Sequence, residues 1–299
     1  MSQYSNQLLP PYRIINDNLN RGLVIPFLGA GASLRIKPAD STKTDYLPSG
    51  AELATQLAEK ADFPKNETID LAKVAQYYSL IGGRSPLYRD LHSIFDHDYP
   101  ITPLHSYLAS IDKPMLIVTT NFDDLMERAL IEQNRKFDVV IHTCDPDNMG
   151  DKLLWIEHGQ EKPVEVQPNK LYIDLDTVTV VYKMHGGINR QAPDRDQYVI
   201  TEDDYIDFLT RMTKNKAIPA IFAEAFQLRH FLFLGYSLRD WNLRVVLNRI
   251  QASRRSSDIT SWSIQFKPSI MECNFWQNRG VKVFDMALDD FVQSISAQP

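Results

Sequence analysis

Leu23-Val24-Ile25-Pro26-Phe27-Leu28 is an unbroken apolar run that stops at a glycine. Further strand candidates follow at 115–119, 138–142, 177–184, 230–234, 262–265 and 281–284. Helical spacing fills most of the intervals. Ser49-Gly50-Ala51-Glu52 opens a helix to about Lys60, and further helices are predicted over 122–133, 202–212, 216–228, 239–251, 268–278 and 288–296. Single strands that alternate with helices imply an α/β layered fold around a parallel sheet. Residues 64–112 carry Leu71, Val74, Ala75 and Tyr78, then Leu87, Leu91 and Phe95, then Leu104, Tyr107 and Leu108 at helical spacing, which predicts a small helical insertion between two strands. Residues 34–48 read as a polar loop, and 143–176 as a long loop or hairpin.

Composition narrows the class. The 299 residues are 43% hydrophobic and 23% charged, enough for one large domain or two smaller ones. A net charge of −6 argues against a general nucleic-acid-binding surface, and Arg254-Arg255 is too short a basic pair to reverse that. Two cysteines far apart, Cys144 and Cys273, argue against a disulfide framework and exclude a four-cysteine zinc site within one chain. The first residues lack the charged and apolar regions of a signal peptide, and no apolar run reaches a membrane span, so no membrane association and a cytoplasmic location are expected.

Four segments could carry chemistry. In F-L-G-A-G-A-S, Phe27 to Ser33, a strand runs into Gly-Ala-Gly, which puts backbone N–H groups at a sheet edge and allows a pyrophosphate to approach. A G-x-G-x-x-G fingerprint would need glycine at Leu34, and a polar loop rather than a helix is expected next, so a ligand-free strand turn is the competing reading. In V-T-T-N-F-D-D-L, Val118 to Leu125, Asn121 and Asp123 follow a buried strand, where capping of the next helix is the simpler reading. In K-M-H-G-G, Lys183 to Gly187, His185 could act as a general base or be a turn histidine with a local hydrogen bond. His105 and His142 read as structural. In F-L-G-Y-S-L-R-D-W-N, Phe233 to Asn242, Ser237 could cap a helix or bind a ribose or phosphate.

These segments share one geometry. Parallel strands that end near Gly31, Asn121, His185 and Gly235 bring those residues to one edge of the sheet, where open α/β folds bind ligands. In this order, G-A-G-A-S, T-T-N-F-D, H-G and G-Y-S-L resemble the sirtuin fold family. P-S-G-A-E-L-A and T-E-D-D-Y-I-D-F-L are similar to its bacterial branch, the sirtuin-like domains of anti-phage defence systems. Deacylating sirtuins carry a four-cysteine zinc module and commonly Asn-Ile-Asp, where this chain has two cysteines and Asn121-Phe122-Asp123.

The resemblance implies a Rossmann-like open parallel sheet flanked by helices, without a zinc module, as a single domain over 1–299. It implies an NAD+ glycohydrolase that consumes NAD+ as substrate, with no other cofactor and no metal, releasing nicotinamide and ADP-ribose during phage infection. By resemblance, Gly29, Ala30, Gly31 and Ala32 approach the phosphates and Ser33 adds a hydroxyl. Asn121 positions water or the ribose, Asp123 meets the nicotinamide carboxamide or the developing charge, and His185 contacts ribose hydroxyls as general base. Gly235 and Ser237 line the adenosine side. It also implies a homo-oligomer controlled by a partner, a HerA-type ATPase before an Argonaute-like protein. A regulatory or scaffold module that binds NAD+ or ADP-ribose without turnover is the alternative; a dehydrogenase lacks a complete fingerprint.

Overall fold

A computed structural model describes residues 9–35, 46–144, 152–213, 218–236 and 259–298. Helix α1 (Tyr12–Asn20), strand β1 (Val24–Leu28) and one-turn helix α2 (Ala30–Ser33) come first. Helices α3 (Gly50–Lys60), α4 (Leu71–Gly82), α5 (Arg84–Phe95) and α6 (Pro103–Ser110) lead to β2 (Leu116–Thr119) and α7 (Leu125–Glu132). Strands β3 (Phe137–His142), β4 (Leu153–Ile156), β5 (Val164–Val166) and β6 (Thr179–Lys183) follow, then a small pair, β7 (Gly186–Gly187) and β8 (Gln197–Tyr198). The chain continues through α8 (Glu202–Thr213), α9 (Ala220–Leu228), β9 (His230–Leu234), β10 (Ser261–Gln265), α10 (Ile270–Gln277), β11 (Val281–Asp285) and α11 (Leu288–Ser296).

The main sheet has nine strands in the order β11-β10-β9-β1-β2-β6-β3-β4-β5. Every pairing from β11 to β3 is parallel, whereas β4 and β5 are antiparallel. The expected parallel sheet is therefore present, and the 143–176 segment supplies an antiparallel β4–β5 pair at its edge, in line with the hairpin reading. At this edge β4 runs antiparallel to β3 and β5 antiparallel to β4, so each returns alongside its neighbour.

Helices cover both faces, so the central strands are buried throughout and read as continuous apolar runs. Successive residues feed opposite layers. Ile25, Phe27, Leu116, Val118, Val180, Tyr182, Phe231 and Phe233 join one core with Phe222, Phe226 and Trp276. Val24, Leu28, Ile117, Val181, Leu232 and Leu234 join the other with Ile15, Leu19, Leu108 and Phe291. A third core holds the insertion: Leu53 and Leu57 of α3, Val74 of α4 and Leu87, Leu91 and Phe95 of α5 meet Tyr198 and Leu125.

Local chemistry starts several helices. Ser49 and Glu52 form a reciprocal capping box at α3, and Ser269 and Glu272 form another at α10. Asp70 caps α4, and Thr102 caps α6 ahead of Pro103. The predicted helix over 239–251 lies outside the described residues. No helix among the described residues is long and apolar enough to cross a membrane.

Trp276 of α10 is fully buried in the first core. Trp276→Ala is expected to cost about 3–5 kcal/mol in urea-induced unfolding. A loss below about 1 kcal/mol would mean that α10 is not packed as described.

Candidate active site

The four central strands end in one row. Leu28 of β1 is the register partner of Leu234 of β9 and of Thr119 of β2, and Thr119 is in turn the partner of Lys183 of β6. The turns after these four strands therefore leave the sheet side by side at its carboxyl edge, as the sequence pattern predicts. Tyr236 bridges two of them, its hydroxyl 2.7 Å from the Thr120 hydroxyl.

The glycine turn after β1 interlocks with the turn after β9. The Gly29 amide donates to the Leu234 carbonyl at 3.0 Å, the Gly31 amide to the Gly235 carbonyl at 2.9 Å and the Ala32 amide to the Gly29 carbonyl at 2.9 Å. Gly235 has φ +70°, and a Cβ there would lie 2.1 Å from the Ala32 nitrogen. A Cβ on Gly31 would lie 2.8 Å from the Gly235 carbonyl oxygen. Glycine is required here first by the contact between the two strand ends. Three amides of the turn are thereby engaged within the protein, in contrast to the expectation of free donors. The polar loop expected directly after the glycines is preceded by the one-turn helix α2.

Asn121 does not cap α7. The helix starts at Leu125, and the Asn121 side chain turns back to β1 instead. Its Nδ2 donates to the Gly29 carbonyl and to Ser33 Oγ, both at 3.0 Å, while its own amide donates to Thr119 Oγ1 at 2.9 Å. A carbonyl oxygen can only accept, so the amide nitrogen must face Gly29 and the Asn121 Oδ1 is directed elsewhere. Asp123 does the work expected of a cap, with Oδ1 accepting from the Leu125 amide at 3.1 Å. Its buried Oδ2 has no hydrogen-bond partner among the described residues.

Lys183 lies directly beneath this turn and is fully buried. Its Nζ donates to the Asp123 carbonyl and, at 2.9 Å, to Glu127 Oε1. Burial by itself lowers the Lys183 pKa, but the negative charges of Glu127 and Asp123 outweigh it and hold the pKa above the usual lysine value. His105 is the opposite case: burial pushes its imidazole down to about 4, so it is neutral at pH 7, with Nδ1 2.7 Å from the Thr102 hydroxyl. It is structural, as its place on a helix suggests. His142 packs edge-on against Phe208, at a centroid distance of 5.1 Å, inside the core.

His185 follows β6 and packs edge-on against Tyr205 and Phe208 of α8, with centroid distances of 5.5 and 5.1 Å. Its carbonyl accepts from the Val199 amide at 2.8 Å, which ties the strand end to the segment after β8. These contacts orient the ring at the cleft wall.

Ala30, Gly31, Asn121, Asp123, His185 and Gly235 line one cavity of about 440 Å³, together with Tyr205 and Tyr236. A second cavity of about 570 Å³ shares Gly31, Gly235 and Tyr236 with the first and extends over the ends of β10 and β11 to Gln265, Lys267 and Asp289. Each has the size of a small-ligand site, and the two compartments adjoin at the three shared residues. Gly29, Ala32 and Ser33 stand behind the lining: the Ala32 carbonyl accepts from Thr102, and Ser33 supports Asn121. Ser237 lies outside the described residues. Lys183, Thr120, Tyr205 and Tyr236 carry no assignment from sequence, although all four fall within or beside the motifs. Among the described residues, no group of three or more histidine, cysteine or acidic side chains is placed to hold a metal ion.

Comparison with known proteins places this edge in a family. The defense-associated sirtuin 2 of Bacillus subtilis is 22% identical over 293 residues, covering 94% of this chain and 25% of that protein. An NAD(+) hydrolase ThsA of Bacillus cereus strain MSX-D12 is 27% identical over 76% of this chain and 40% of its own length. Another ThsA, from Acinetobacter baumannii strain 532279, is 30% identical over 67% of this chain and 35% of its own. The chain thus spans less than half the length of each of these relatives. A SIR2-like domain profile matches residues 115–284, more than half of the chain, from the strand before Asn121, through His185, to the strand that borders the second compartment. By that match, the protein belongs to the SIR2-like domain family.

Proposed function

We propose that the cleft hydrolyses NAD+ at the nicotinamide–ribose bond and that the chain serves as a NAD+-depleting effector of anti-phage defence. The observation that carries this reading is the convergence of Asn121, Asp123 and His185 in one compartment that adjoins a second at Gly31, Gly235 and Tyr236. A dinucleotide has two such halves joined by a pyrophosphate. The relatives named NAD(+) hydrolase and defense-associated sirtuin support the same reading.

In the proposed reaction a water oxygen bonds to the ribose C1′ while the C1′–nitrogen bond breaks. The bonding pair goes to the nicotinamide ring, whose positive charge it cancels, and the water proton is released to a base. The leaving group departs neutral, so catalysis rests on stabilising positive charge at the ribose and on orienting water. Asn121 has both N–H bonds engaged, so it offers Oδ1 as acceptor for water or a ribose hydroxyl. Asp123 offers Oδ2 to the cationic ribose or the carboxamide. His185 takes the proton or holds the ribose hydroxyls. The proposal includes control through a homo-oligomer and a HerA-type ATPase partner, since an unrestrained NAD+ hydrolase would be toxic to its cell.

Nicotinamide release from NAD+, by the chain alone or with its partner, tests the reading directly. NAD+ binding without release under every assembly state would convert the protein to a nucleotide-binding module. Asn121→Ala is expected to lower kcat about 10²–10³-fold, the range for one pre-positioned polar group. His185→Ala is expected to lower it about 10²–10⁴-fold. Both variants should retain the thermal midpoint to within a few degrees, and full turnover by either would overturn its role.

A further inference from the structure

We infer that Lys183 is a positioning residue for the hydrolytic step, fixing the Asn121–Asp123 turn through the Asp123 carbonyl and setting the charge beside the cavity together with Glu127. This rests on the reading of the cleft as a NAD+-hydrolysing site. A lysine without exposed surface at the end of a strand is costly unless paired, and an apolar side chain would fill the same space at lower cost. The chain instead makes room for it. A Cβ on Gly187 would lie 2.1 Å from the Lys183 Cε and 3.0 Å from the Phe122 carbonyl oxygen, so a side chain there would displace the end of Lys183 from its present position. Neighbouring contacts staple the same turn: the Met184 amide donates to the Thr119 carbonyl at 2.8 Å and the Ile188 amide to the Phe122 carbonyl at 3.0 Å. Lys183 supplies the next bond in that series, to the Asp123 carbonyl.

The same contacts set the local charge. Lys183 pairs with Glu127 at 2.9 Å, a carboxyl that burial pushes up in pKa against the pull of the ammonium, and the Asp123 carboxylate stands beside that pair at the cavity lining. The pKa of Lys183, held up by both carboxylates against burial, keeps the ammonium charged. A ribose cation formed at this lining meets a carboxylate whose direction is fixed by the Leu125 amide on Oδ1 and by Lys183 on the backbone.

The test compares wild type with Glu127→Gln and with the double variant Lys183→Met plus Glu127→Gln, which leaves no unpaired buried charge. Nicotinamide release gives kcat, and calorimetry with ADP-ribose gives binding without the leaving group. The double variant is expected to bind ADP-ribose within about threefold of wild type, with kcat lowered about 10²-fold by a turn that no longer holds its geometry. Glu127→Gln, which keeps the buried amine, is expected to lower kcat about tenfold at unchanged ADP-ribose affinity, because a positive charge is left uncompensated beside the forming cation. Equal losses in kcat and ADP-ribose affinity, or full turnover by the double variant, would overturn the assignment and leave Lys183 a packing residue. Should the double variant not fold, wild-type turnover by Glu127→Gln overturns it alone. Absence of release from wild type overturns the hydrolase reading as well, so the two failures are distinct.

Discussion

The in-register pairing of β9, β1, β2 and β6 is the constraint on which the site depends. Leu234, Leu28, Thr119 and Lys183 stand at one level, so four turns that are distant in sequence leave the sheet together. A one-residue slip would exchange the two faces of a strand. Phe231 and Phe233 belong to the core that also holds Phe27, Phe222, Phe226 and Trp276, whereas Leu232 and Leu234 belong to one in which Trp262, Phe284 and Phe291 stand among mainly aliphatic groups. Both faces are buried, so a slip would create misfit on two sides and displace the turn by a full residue. Packing in the layers above and below thus holds the chemical groups at the edge.

The turn from Thr120 to Asp124 is held from three directions. Asn121 reaches back to β1, and Lys183 reaches up from β6. From the side, Arg190 pairs with Asp124 and also bonds the His97 carbonyl at 2.8 Å and Asp96 at 3.0 Å, joining the helical insertion to the turn. A segment so restrained presents Asn121 Oδ1 and Asp123 Oδ2 in fixed directions, which suits stabilisation of a transient cation without reorganisation. The same bonds make the polar groups mutually dependent: a buried charge is tolerable only while its partner is in place.

Much of this was legible from residues alone. The strands around Phe27, Ile117, Val181 and Phe233 announced themselves as apolar runs, and S-G-A-E predicted the start of α3. The convergence of Gly31, Asn121, His185 and Gly235 followed from parallel topology. Other features were not legible. Asn121 resembles a cap, because amide residues cap helices, yet its bonds go to Gly29 and Ser33, far earlier in the chain. The glycines resemble a phosphate turn, yet Gly31 is constrained first by Gly235. Helix α1 was missed because it is short and largely polar, its burial resting on Ile15, Asn16 and Leu19. The hairpin within 143–176 was left without strand bounds because β4 and β5 have three or four residues each, too few for a clear alternation.

What the sequence determined by itself was local: which segments extend, which coil, where capping boxes start helices, and that strands joined through helices must run parallel. Those properties depend on neighbours within a few residues, and the parallel rule depends only on the connection. The partners of Asn121, the bonds of Lys183 to Asp123 and Glu127 and the meeting of the two compartments at Gly31 and Gly235 belonged to the tertiary structure. Each depends on distances between residues about 60 to 200 positions apart in the chain, which short-range pattern does not encode. The chemistry of this edge therefore arises from side chains whose local roles look ordinary until the sheet brings their strand ends into one row.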